Sequence, residues 1–266
     1  MTTRALILAA GQGTRLRPLT DDRPKCLVEL GGRALLTRQL GALSACGVEE
    51  VTVLTGYRED LIRAAHPDVE VRHNTAYATT NMVVTLFCAA DRMGADANLL
   101  VVYGDVLFEP RVVRALLVGS GEVSLAVNAR WRELWEARMD DPLADAETLE
   151  MDATGRVTDI GRKVSDYAQV QGQYMGLIHF RADIAARLPT IYAAMDRGAS
   201  YDGGSFENMY MTAFLRHLIA SGLEVRGVVV EGGWLEVDSV SDLDLYERLH
   251  EQGELDAFCA LGDDVS

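Results

Sequence analysis

A short apolar segment that runs directly into a glycine-bearing loop constrains the fold of this chain more than any other feature. Residues 4–10 (RALILAA) are almost continuously apolar, and Gly11 and Gly13 follow at once. Short apolar runs of this kind are typical of strands that a parallel sheet buries on both faces. Two glycines let the backbone curl so that successive N–H groups can point at an anion. The segment therefore predicts a buried strand and a phosphate-binding loop, at the edge where open parallel sheets bind ligands.

Strand-like and helix-like segments alternate along the rest of the first half of the chain. After residues 4–10, strands are predicted at 51–54, 69–73 and 99–103, and helices at 35–45, 59–65 and 81–93. This alternation is the signature of a doubly wound, mostly parallel sheet that carries helices on both faces.

The pattern changes from residue 123 onward. Strands are predicted at 123–127, 156–160, 173–180, 225–230 and 234–237, and helices at 182–195, 207–220 and 242–252. The first three strands have few helices between them, which predicts antiparallel pairing. The fold class is therefore α/β, with a doubly wound, mostly parallel mixed sheet and antiparallel additions in the second half. The sequence has no internal repeat or linker, so we expect one domain over residues 1–266.

The overall charge and the apolar runs exclude several classes of partner. A formal net charge of −15 argues against nucleic acid or an anionic membrane as the main partner. The apolar runs are too short to span a membrane, and no secretory-type segment is present, so we expect the protein in the cytoplasm. The four cysteines are widely scattered and form no CxxC pair, which fits a reducing compartment.

Positive charge is concentrated near the glycine loop. Residues 1–25 hold five cations against two carboxylates, Asp21 and Asp22, so this segment is locally cationic within an acidic protein. Of the 25 basic residues only two are lysines, Lys25 and Lys163. A lysine retained in so arginine-rich a chain suggests a place where a compact ammonium is needed and a planar guanidinium does not fit.

Two familiar glycine motifs do not describe the loop. Thr14-Arg15 does not supply the Lys-Ser/Thr pair of a Walker A loop, and Leu16 stands where a dinucleotide-binding loop has its third glycine. What remains is Gly-x-Gly-Thr-Arg, followed by Arg23-Pro-Lys25. Over residues 6–32 this arrangement resembles the signature of the sugar-phosphate and alcohol-phosphate nucleotidyltransferases, which have a Rossmann-like fold.

The resemblance implies roles for the residues of the loop. The segment from Gly11 to Thr14 would hold base and phosphates, while Arg15 and Lys25 would neutralise the triphosphate and the leaving pyrophosphate. The nucleotide-binding residues implied in this way are Ala9, Ala10, Gly11, Gln12, Gly13, Thr14, Arg15, Lys25, Thr80 and Asn81. Lys25, Arg15 and Asp105 would be catalytic.

Carboxylates at strand ends are candidates for a metal site. Nucleotidyl transfer is an in-line displacement that needs charge neutralisation and alignment, usually through Mg²⁺ held by one or two carboxylates. Asp105 follows the strand predicted at 99–103, and Glu236 and Asp238 lie two apart, hence on one face of a strand. Taken alone, these residues could equally be a turn residue and a solvated strand face. Both features recur in the family named above, so Asp105, Glu236 and Asp238 are predicted to bind Mg²⁺.

Further motifs resemble one branch of that family. Asn74-Thr-Ala-Tyr77 and Thr80-Asn81, with residues 131–148, 207–212 and 236–238, are similar to the phosphocholine and phosphonate cytidylyltransferase branch. The resemblance spans about residues 4–250. It implies CTP as nucleotide donor and a small anionic acceptor such as phosphonoformate, 2-hydroxyethylphosphonate, 2-aminoethylphosphonate, phosphoglutamine or phosphocholine.

The other end of the acceptor is left open by the sequence. A choline group would need aromatic rings and an acidic side chain, which Trp131, Trp135, Tyr174, Tyr201, Phe206, Glu207 and Tyr210 could supply, although such residues are more often core. A carboxylated phosphonate would need cations, and Arg130, Arg132, Arg138, Arg162 and Lys163 are available. We predict Lys163, Tyr174 and Glu207 as acceptor-binding residues.

Two other functions compete with the cytidylyltransferase. One is a sugar-1-phosphate nucleotidyltransferase that uses another nucleoside triphosphate. The other is a non-catalytic, nucleotide-binding regulatory subunit on the same fold. A regulatory subunit should have lost the lysine or the carboxylates, whereas this chain keeps Lys25, Asp105, Glu236 and Asp238, so an enzyme is favoured. A homodimer is one compatible assembly.

Overall fold

The structure, a computed structural model, describes residues 1–262. Its strands are β1 Thr3–Ala9, β2 Glu29–Leu30, β3 Arg33–Ala34, β4 Glu50–Thr55, β5 Glu70–His73, β6 Asn98–Tyr103, β7 Val106–Phe108, β8 Val123–Asn128, β9 Glu147–Met151, β10 Val157–Lys163, β11 Gln173–Phe180, β12 Val225–Val230 and β13 Trp234–Glu236. Its α-helices are α1 Leu35–Ser44, α2 Glu59–Ala65, α3 Met82–Phe87, α4 Pro110–Leu117, α5 Trp131–Arg138, α6 Ala182–Ala185, α7 Leu188–Ala194, α8 Met211–Ala220 and α9 Val240–Glu251. Short 3₁₀ turns join several of these elements.

Seven strands form the central sheet in the order β12-β8-β11-β6-β1-β4-β5. Strand β1 pairs in parallel with both β4 and β6, and β12 pairs in parallel with β8. Strand β11 alone runs antiparallel, between β6 and β8. The predicted α/β class and mostly parallel mixed sheet are confirmed.

Helices cover both faces of the sheet because the central strands are apolar on both sides. Within β1, Ile7 packs into one buried cluster and Leu6 into the other. The Ile7 cluster includes Leu35 of α1, and the Leu6 cluster includes Phe214 of α8. No helix within residues 1–262 is long and apolar enough to cross a membrane.

The predicted antiparallel strands lie partly in the main sheet, where β11 pairs with β8, and partly in small sheets beside it. Strands β9 and β10 form an antiparallel pair, and β13 pairs with β7. The pairing of β13 with β7 was not predicted from the sequence. The β7–β13 pair matters for function because β7 begins directly after Asp105 and β13 ends at Glu236. It therefore brings the predicted carboxylates together across a large separation in sequence.

Some predicted helices differ from the observed ones. The helix predicted at 182–195 is two short helices, because Pro189 near the start of α7 has no N–H with which to continue a preceding helix. The helix predicted at 207–220 begins only at Met211. The backbone carbonyl of Glu207 instead accepts a hydrogen bond from the Asn81 N–H at 2.9 Å. Helices α4 and α5 were not predicted.

Candidate active site

The loop after β1 is shaped by a glycine that has to approach other side chains closely. Gly13 has a φ of 62°, and a Cβ there would lie 3.0 Å from the Cβ of Lys25. The Thr20 hydroxyl donates a hydrogen bond of 2.7 Å to the Gly13 carbonyl oxygen. Because a left-handed backbone and close packing coincide here, any other residue at position 13 would strain the loop. The second glycine of the motif therefore sets the distance between the loop and Lys25.

Lys25 lies between two carboxylates that are distant in sequence. Its Nζ donates hydrogen bonds to Asp105 Oδ2 at 2.9 Å and to Asp238 Oδ1 at 2.8 Å, and 14% of the side chain is exposed. Burial disfavours the ammonium, but the two carboxylates outweigh burial and hold the pKa of Lys25 above its ordinary value. Arg15 pairs with the other oxygen of Asp238. The predicted catalytic residues Arg15, Lys25 and Asp105 therefore form one connected cluster.

A buried glutamine holds the turn that carries Asp105. Gln39 of α1 is 1% exposed, and its Nε2 donates to the carbonyl oxygens of Tyr103 at 2.8 Å and Val106 at 2.6 Å. These two carbonyls flank Gly104 and Asp105. A Cβ on Gly104 would lie 2.7 Å from the Leu8 carbonyl oxygen, so the turn packs directly against β1. Gln39 was not predicted as a site residue. Its only signal in the sequence is that a polar side chain lies on the buried face of α1.

Glu236 is the third carboxylate of the cluster, and an arginine on α5 holds it. Arg138 Nη1 lies 3.5 Å from Glu236 Oε2, and its guanidinium also bonds both carboxylate oxygens of Asp242 at 3.0 and 3.1 Å. Burial raises the pKa of Glu236 to about 7, and the neighbouring charge of Asp105 adds to the rise. In this cluster the four carboxylates of Asp105, Glu236, Asp238 and Asp242 share three cations, Arg15, Lys25 and Arg138.

The three predicted metal ligands are neighbours, with Lys25 between two of them. Within residues 1–262, no group of three or more histidine, cysteine, aspartate or glutamate side chains is arranged to hold a metal ion as it stands. Asp105 Oδ1 is buried and has no hydrogen-bond partner among the described residues. The magnesium site stays a prediction.

A first cavity, of about 670 Å³, opens beside the glycine loop. Its lining residues are Leu8, Ala9, Ala10, Gly11, Lys25, Cys26, Tyr77, Thr80, Asn81, Met82, Thr85, Tyr103, Gly104 and Asp105. The predicted nucleotide-binding residues Thr80 and Asn81 are thus brought to the end of β1. Asn74 supports this wall, since its Nδ2 donates to the hydroxyls of Thr80 at 3.1 Å and Thr85 at 3.0 Å.

A second cavity, of about 840 Å³, adjoins the first, since Met82 and Tyr103 line both. The other lining residues of this second cavity are Arg15, Val106, Trp135, Asp145, Glu147, Gln173, Tyr174, Gly176, Tyr210, Met211, Thr212, Trp234, Glu236 and Asp238. The catalytic cluster therefore lies between the two cavities, with Lys25 and Asp105 facing the first and Asp238 facing the second. This geometry can hold two substrates with their reacting groups at the shared boundary.

Of the remaining predicted site residues, some line one of the two cavities and others line neither. Gln12, Gly13 and Thr14 belong to the loop but line neither cavity, and Arg15 lines the second rather than the first. Tyr174 lines the second cavity. Lys163, at the exposed end of β10, and the exposed Glu207 side chain line neither.

The aromatic and cationic residues that the sequence offered for the acceptor divide in the same way. Trp135, Tyr174 and Tyr210 line the second cavity, whereas Trp131 and Phe206 belong to the core. Arg138 is committed to Asp242 and Glu236. Sequence analysis did not single out Glu147 or Trp234, although Glu147 falls inside the segment 131–148 that resembles the cytidylyltransferase branch.

The first cavity opens at the carboxyl ends of β1 and β6, where open α/β sheets bind ligands, and the second adjoins the carboxyl end of β6. Fold and site together define the class of the protein as an α/β nucleotidyltransferase. Within that class, the sequence pattern of the MobA-like NTP transferase domain matches residues 5–198, and the chain belongs to this family.

Similar proteins point to the same branch as the sequence motifs. The chain is 37% identical over 248 residues to the CTP:phosphoglutamine cytidylyltransferase of Campylobacter jejuni. The aligned region covers 91% of this chain and 98% of that protein. It is 27% identical over 255 residues to the 2-aminoethylphosphonate cytidylyltransferase of Lancefieldella rimae, with 92% of each covered. The structure of the CTP:phosphocholine cytidylyltransferase from Streptococcus pneumoniae superposes with a TM-score of 0.66 at 22% identity, covering 94% and 100% of the two chains. The resemblance drawn from the motifs is confirmed.

Proposed function

We propose that this enzyme transfers CMP from CTP to a small phosphonate or phosphate monoester and releases pyrophosphate, with Mg²⁺ as cofactor. The observation that carries the proposal is the meeting of two cavities at Lys25, Asp105 and Asp238. The choice of CTP rests on the similarity to the two cytidylyltransferases from Campylobacter jejuni and Lancefieldella rimae.

The proposed reaction needs no covalent intermediate on the protein. An oxygen of the acceptor phosphoryl or phosphonyl group attacks the α-phosphorus of CTP. The bond from that phosphorus to the bridging oxygen breaks, and pyrophosphate leaves with the electron pair. Because the attacking oxygen is already an anion at neutral pH, no side chain has to remove a proton. Positioning and charge neutralisation therefore supply the catalysis.

The two cavities divide the substrates between them in this proposal. The nucleotide occupies the first cavity, next to Gly11, Thr80 and Asn81, with its phosphates directed at the glycine loop. The acceptor occupies the second cavity. Lys25 and Arg15 lie at the boundary, where negative charge from both substrates accumulates, and their fixed positive charges stabilise it.

The residues at this boundary fit a magnesium ion chemically. Carboxylate oxygens are the ligands that Mg²⁺ prefers, and Asp105, Glu236 and Asp238 supply them. Asp105 Oδ1 has no hydrogen-bond partner among the described residues, and the four carboxylates of the cluster share three cations, so the site can accept a further positive charge. When bound, the ion would polarise the phosphate oxygens and stabilise the charge that develops on them.

Pyrophosphate release tests the proposal directly. Each of CTP, UTP, GTP, ATP and dTTP would be combined with phosphocholine, 2-aminoethylphosphonate, 2-hydroxyethylphosphonate, phosphonoformate, phosphoglutamine and glucose-1-phosphate, with Mg²⁺ or with a chelator. We expect release with CTP and one phosphonate or small phosphate monoester, and none with the chelator. Release only with the sugar phosphate would instead identify a sugar-1-phosphate nucleotidyltransferase. Absence of release throughout would favour the regulatory subunit.

Two substitutions test the catalytic cluster. Lys25→Ala and Asp105→Asn should each lower kcat by at least about a hundredfold, because each removes a charge from the boundary where the transition state forms. Pyrophosphate release measures the loss, and circular dichroism should show an unchanged fold. The matched control is Arg187→Ala, which removes an exposed cation at the start of α7. Activity of either variant near that of the control would refute the assignment.

A further inference from the structure

The ribbon formed by β7 and β13 carries or adjoins all three proposed metal ligands, and it is very short. Three residue pairs join its strands, from Trp234 with Phe108 at one end to Glu236 with Val106 at the other. Asp105 directly precedes β7, and Asp238 follows two residues after β13 ends. An isolated two-stranded ribbon is marginally stable at best in water. Contacts from outside the ribbon therefore have to hold its strands in place.

The pairing register of this ribbon decides on which side its carboxylates lie. Successive side chains of a strand face opposite sides, so a slip of one residue turns each side chain to the other face. Such a slip of β13 would turn Glu236 away from Asp105 and Lys25. At the site end, the Val237 N–H supports the register by donating to the Asp105 carbonyl oxygen at 3.0 Å. The opposite end of the ribbon is held by a different part of the chain.

Residues 255–261, which we call the strap, bind both strands of the ribbon at the end away from the site. Directly after β7, the Glu109 N–H donates to the carbonyl oxygen of Gly233 at 2.9 Å, and Gly233 directly precedes β13. The Gly233 N–H donates to the Phe258 carbonyl oxygen at 2.6 Å. The Ala260 N–H donates to Glu109 Oε1 at 3.0 Å. These three bonds close a ring through both strands and the strap.

The strap is itself fixed to the body of the protein. Leu255 and Cys259 are each 1% exposed and belong to the same buried cluster as the inner residues of α1. Arg38 of α1 donates from Nη1 to the Leu261 carbonyl oxygen at 2.9 Å. Its neighbour Gln39 holds the Asp105 turn, so helix α1 contacts both the strap and the site end of β7. The strap can therefore serve as a fixed reference for the ribbon.

Glu109 is the side chain that joins the strap to the ribbon. Its Oε2 pairs with Arg111 at 2.6 Å, while Oε1 accepts the bond from the Ala260 N–H. Glu109 also occupies the N-cap position of α4, but its side chain makes no capping hydrogen bond among the described residues. Replacing this side chain therefore removes the contact with the strap without uncapping α4.

From this arrangement we infer that the strap sets the register of the β7–β13 ribbon, and that Glu109 is a positioning residue for the carboxylates of Glu236 and Asp238. The inference rests on the proposed function, in which these carboxylates bind Mg²⁺. Neither Glu109 nor the strap lines either of the two cavities, so the effect on the metal passes through the backbone of the ribbon.

Hydrogen exchange followed by mass spectrometry tests the register without metal or substrate. In Glu109→Ala, the amides of residues 105–109 and 233–238 should exchange at least about tenfold faster than in the wild type, because a hydrogen bond to a charged group is lost. Amides of the central strand β11 should keep their wild-type rates. Glu109→Gln keeps an oxygen for the Ala260 N–H and should exchange within about threefold of the wild type.

Metal affinity tests whether the register matters for the site. Mn²⁺ binding would be followed by electron paramagnetic resonance on the protein with α,β-methylene-CTP, corrected for Mn²⁺ bound by the nucleotide alone. We expect the Kd for Mn²⁺ to rise at least about tenfold in Glu109→Ala and to stay within about threefold in Glu109→Gln. The control Leu218→Ala removes a fully buried side chain of α8 from the other buried cluster, so it should lower stability but keep the wild-type Mn²⁺ affinity.

The outcomes separate this inference from the proposed function. Wild-type exchange or wild-type Mn²⁺ affinity in Glu109→Ala would overturn the inference and leave the transfer reaction standing. An equal loss of Mn²⁺ affinity in Glu109→Gln or in Leu218→Ala would overturn it as well, because the effect would then not come from the bond to the strap. Absence of pyrophosphate release with every nucleotide and acceptor would instead remove the proposed function, and with it the role of Glu109 in metal binding.

Discussion

At the scale of single residues, the site depends on one compact cation. Lys25 bonds two carboxylates at 2.9 and 2.8 Å, and the three side chains share a partly buried position. An ammonium donates three hydrogen bonds from one atom, whereas a guanidinium requires the room of a planar fork. This explains in physical terms why a chain with so few lysines has one at position 25.

Gln39 gives the first prediction at this scale. Gln39→Leu removes the donor for the carbonyls of Tyr103 and Val106, which flank Asp105. We expect kcat to fall about tenfold or more, because small displacements of a catalytic group are costly. The Mg²⁺ concentration that gives half-maximal activity should rise, since Asp105 is a proposed ligand. Steady-state kinetics over a magnesium titration measures both quantities.

A general loss of stability has to be separated from this positioning effect. Leaving two buried carbonyls without a donor costs about 1–3 kcal/mol each at most. Leu43→Ala, a fully buried substitution in the same helix α1, should cost about 2–5 kcal/mol through a cavity but leave the Asp105 turn alone. If both variants show the same kcat and magnesium dependence at a temperature where both are folded, Gln39 does not position Asp105.

At the scale of secondary-structure elements, helix α5 holds the Glu236 side of the carboxylate cluster in place. Its last residue, Arg138, bridges Glu236 of β13 and Asp242 in the first turn of α9, with 3% of its own side chain exposed. Burial opposes ionisation of Asp242, but the hydrogen bonds and charge of Arg138 outweigh it and hold the pKa of Asp242 below its ordinary value. The helix thus connects two elements that carry or adjoin the carboxylate cluster.

Breaking this bridge should destabilise the protein strongly. Arg138→Met leaves buried carboxylates without their cation, and we expect the free energy of unfolding to fall by about 3–5 kcal/mol. Urea denaturation measures the change. Arg132→Met on the same helix removes an exposed arginine paired with Glu136 and should change the free energy of unfolding far less, because solvent screens an exposed ion pair. Equal losses in the two variants would contradict the role assigned to Arg138.

At the scale of the whole molecule, the antiparallel strand β11 places a histidine inside the protein. His179 is 4% exposed, and neither ring nitrogen has a hydrogen-bond partner among residues 1–262. Burial lowers the pKa of His179, so the folded protein holds it neutral. The unfolded chain therefore binds a proton more readily than the folded protein does.

The contribution of His179 to the free energy of unfolding should consequently decrease as the pH falls. As pH decreases through the unfolded histidine value of about 6.5, the unfolded state takes up the proton first, and His179 can remove up to about 1.4 kcal/mol per pH unit. The loss continues until the pH reaches the lower folded-state pKa. Glu236, whose pKa is about 7 in the folded protein, contributes the opposite slope in this range. The contribution of His179 is therefore the difference between the wild type and His179→Leu, measured by urea denaturation between about pH 7.5 and about pH 5.

Other histidines set the controls for that experiment. Partial burial also lowers the pKa values of His66 and His217, so a residual slope should remain in His179→Leu. A slope in His179→Leu as steep as in the wild type would show that His179 does not titrate between the two states.

Much of the fold could be predicted because its signals are local. The continuous apolar runs of β1 and β6, and the boundaries of α2, β11 and β12, follow from neighbouring residues alone. Helices α4 and α5 were missed although Trp131, Leu134 and Trp135 have helical spacing in α5, and Pro110 at the first turn of α4 favours a helix start. Those misses reflect signals overlooked in the sequence, whereas the β7–β13 pair has no local signal.

The sequence by itself determined the strand, the glycine loop and the class of chemistry, since backbone sterics and the residue types needed around phosphate act over a few neighbouring positions. Only the tertiary structure decided which carboxylates meet Lys25, because Asp105 is 80 and Asp238 213 residues away along the chain. It also decided that Glu147 lines the second cavity and that Lys163 does not. Such placements depend on the order and pairing of strands, and local propensities do not encode the distances that result.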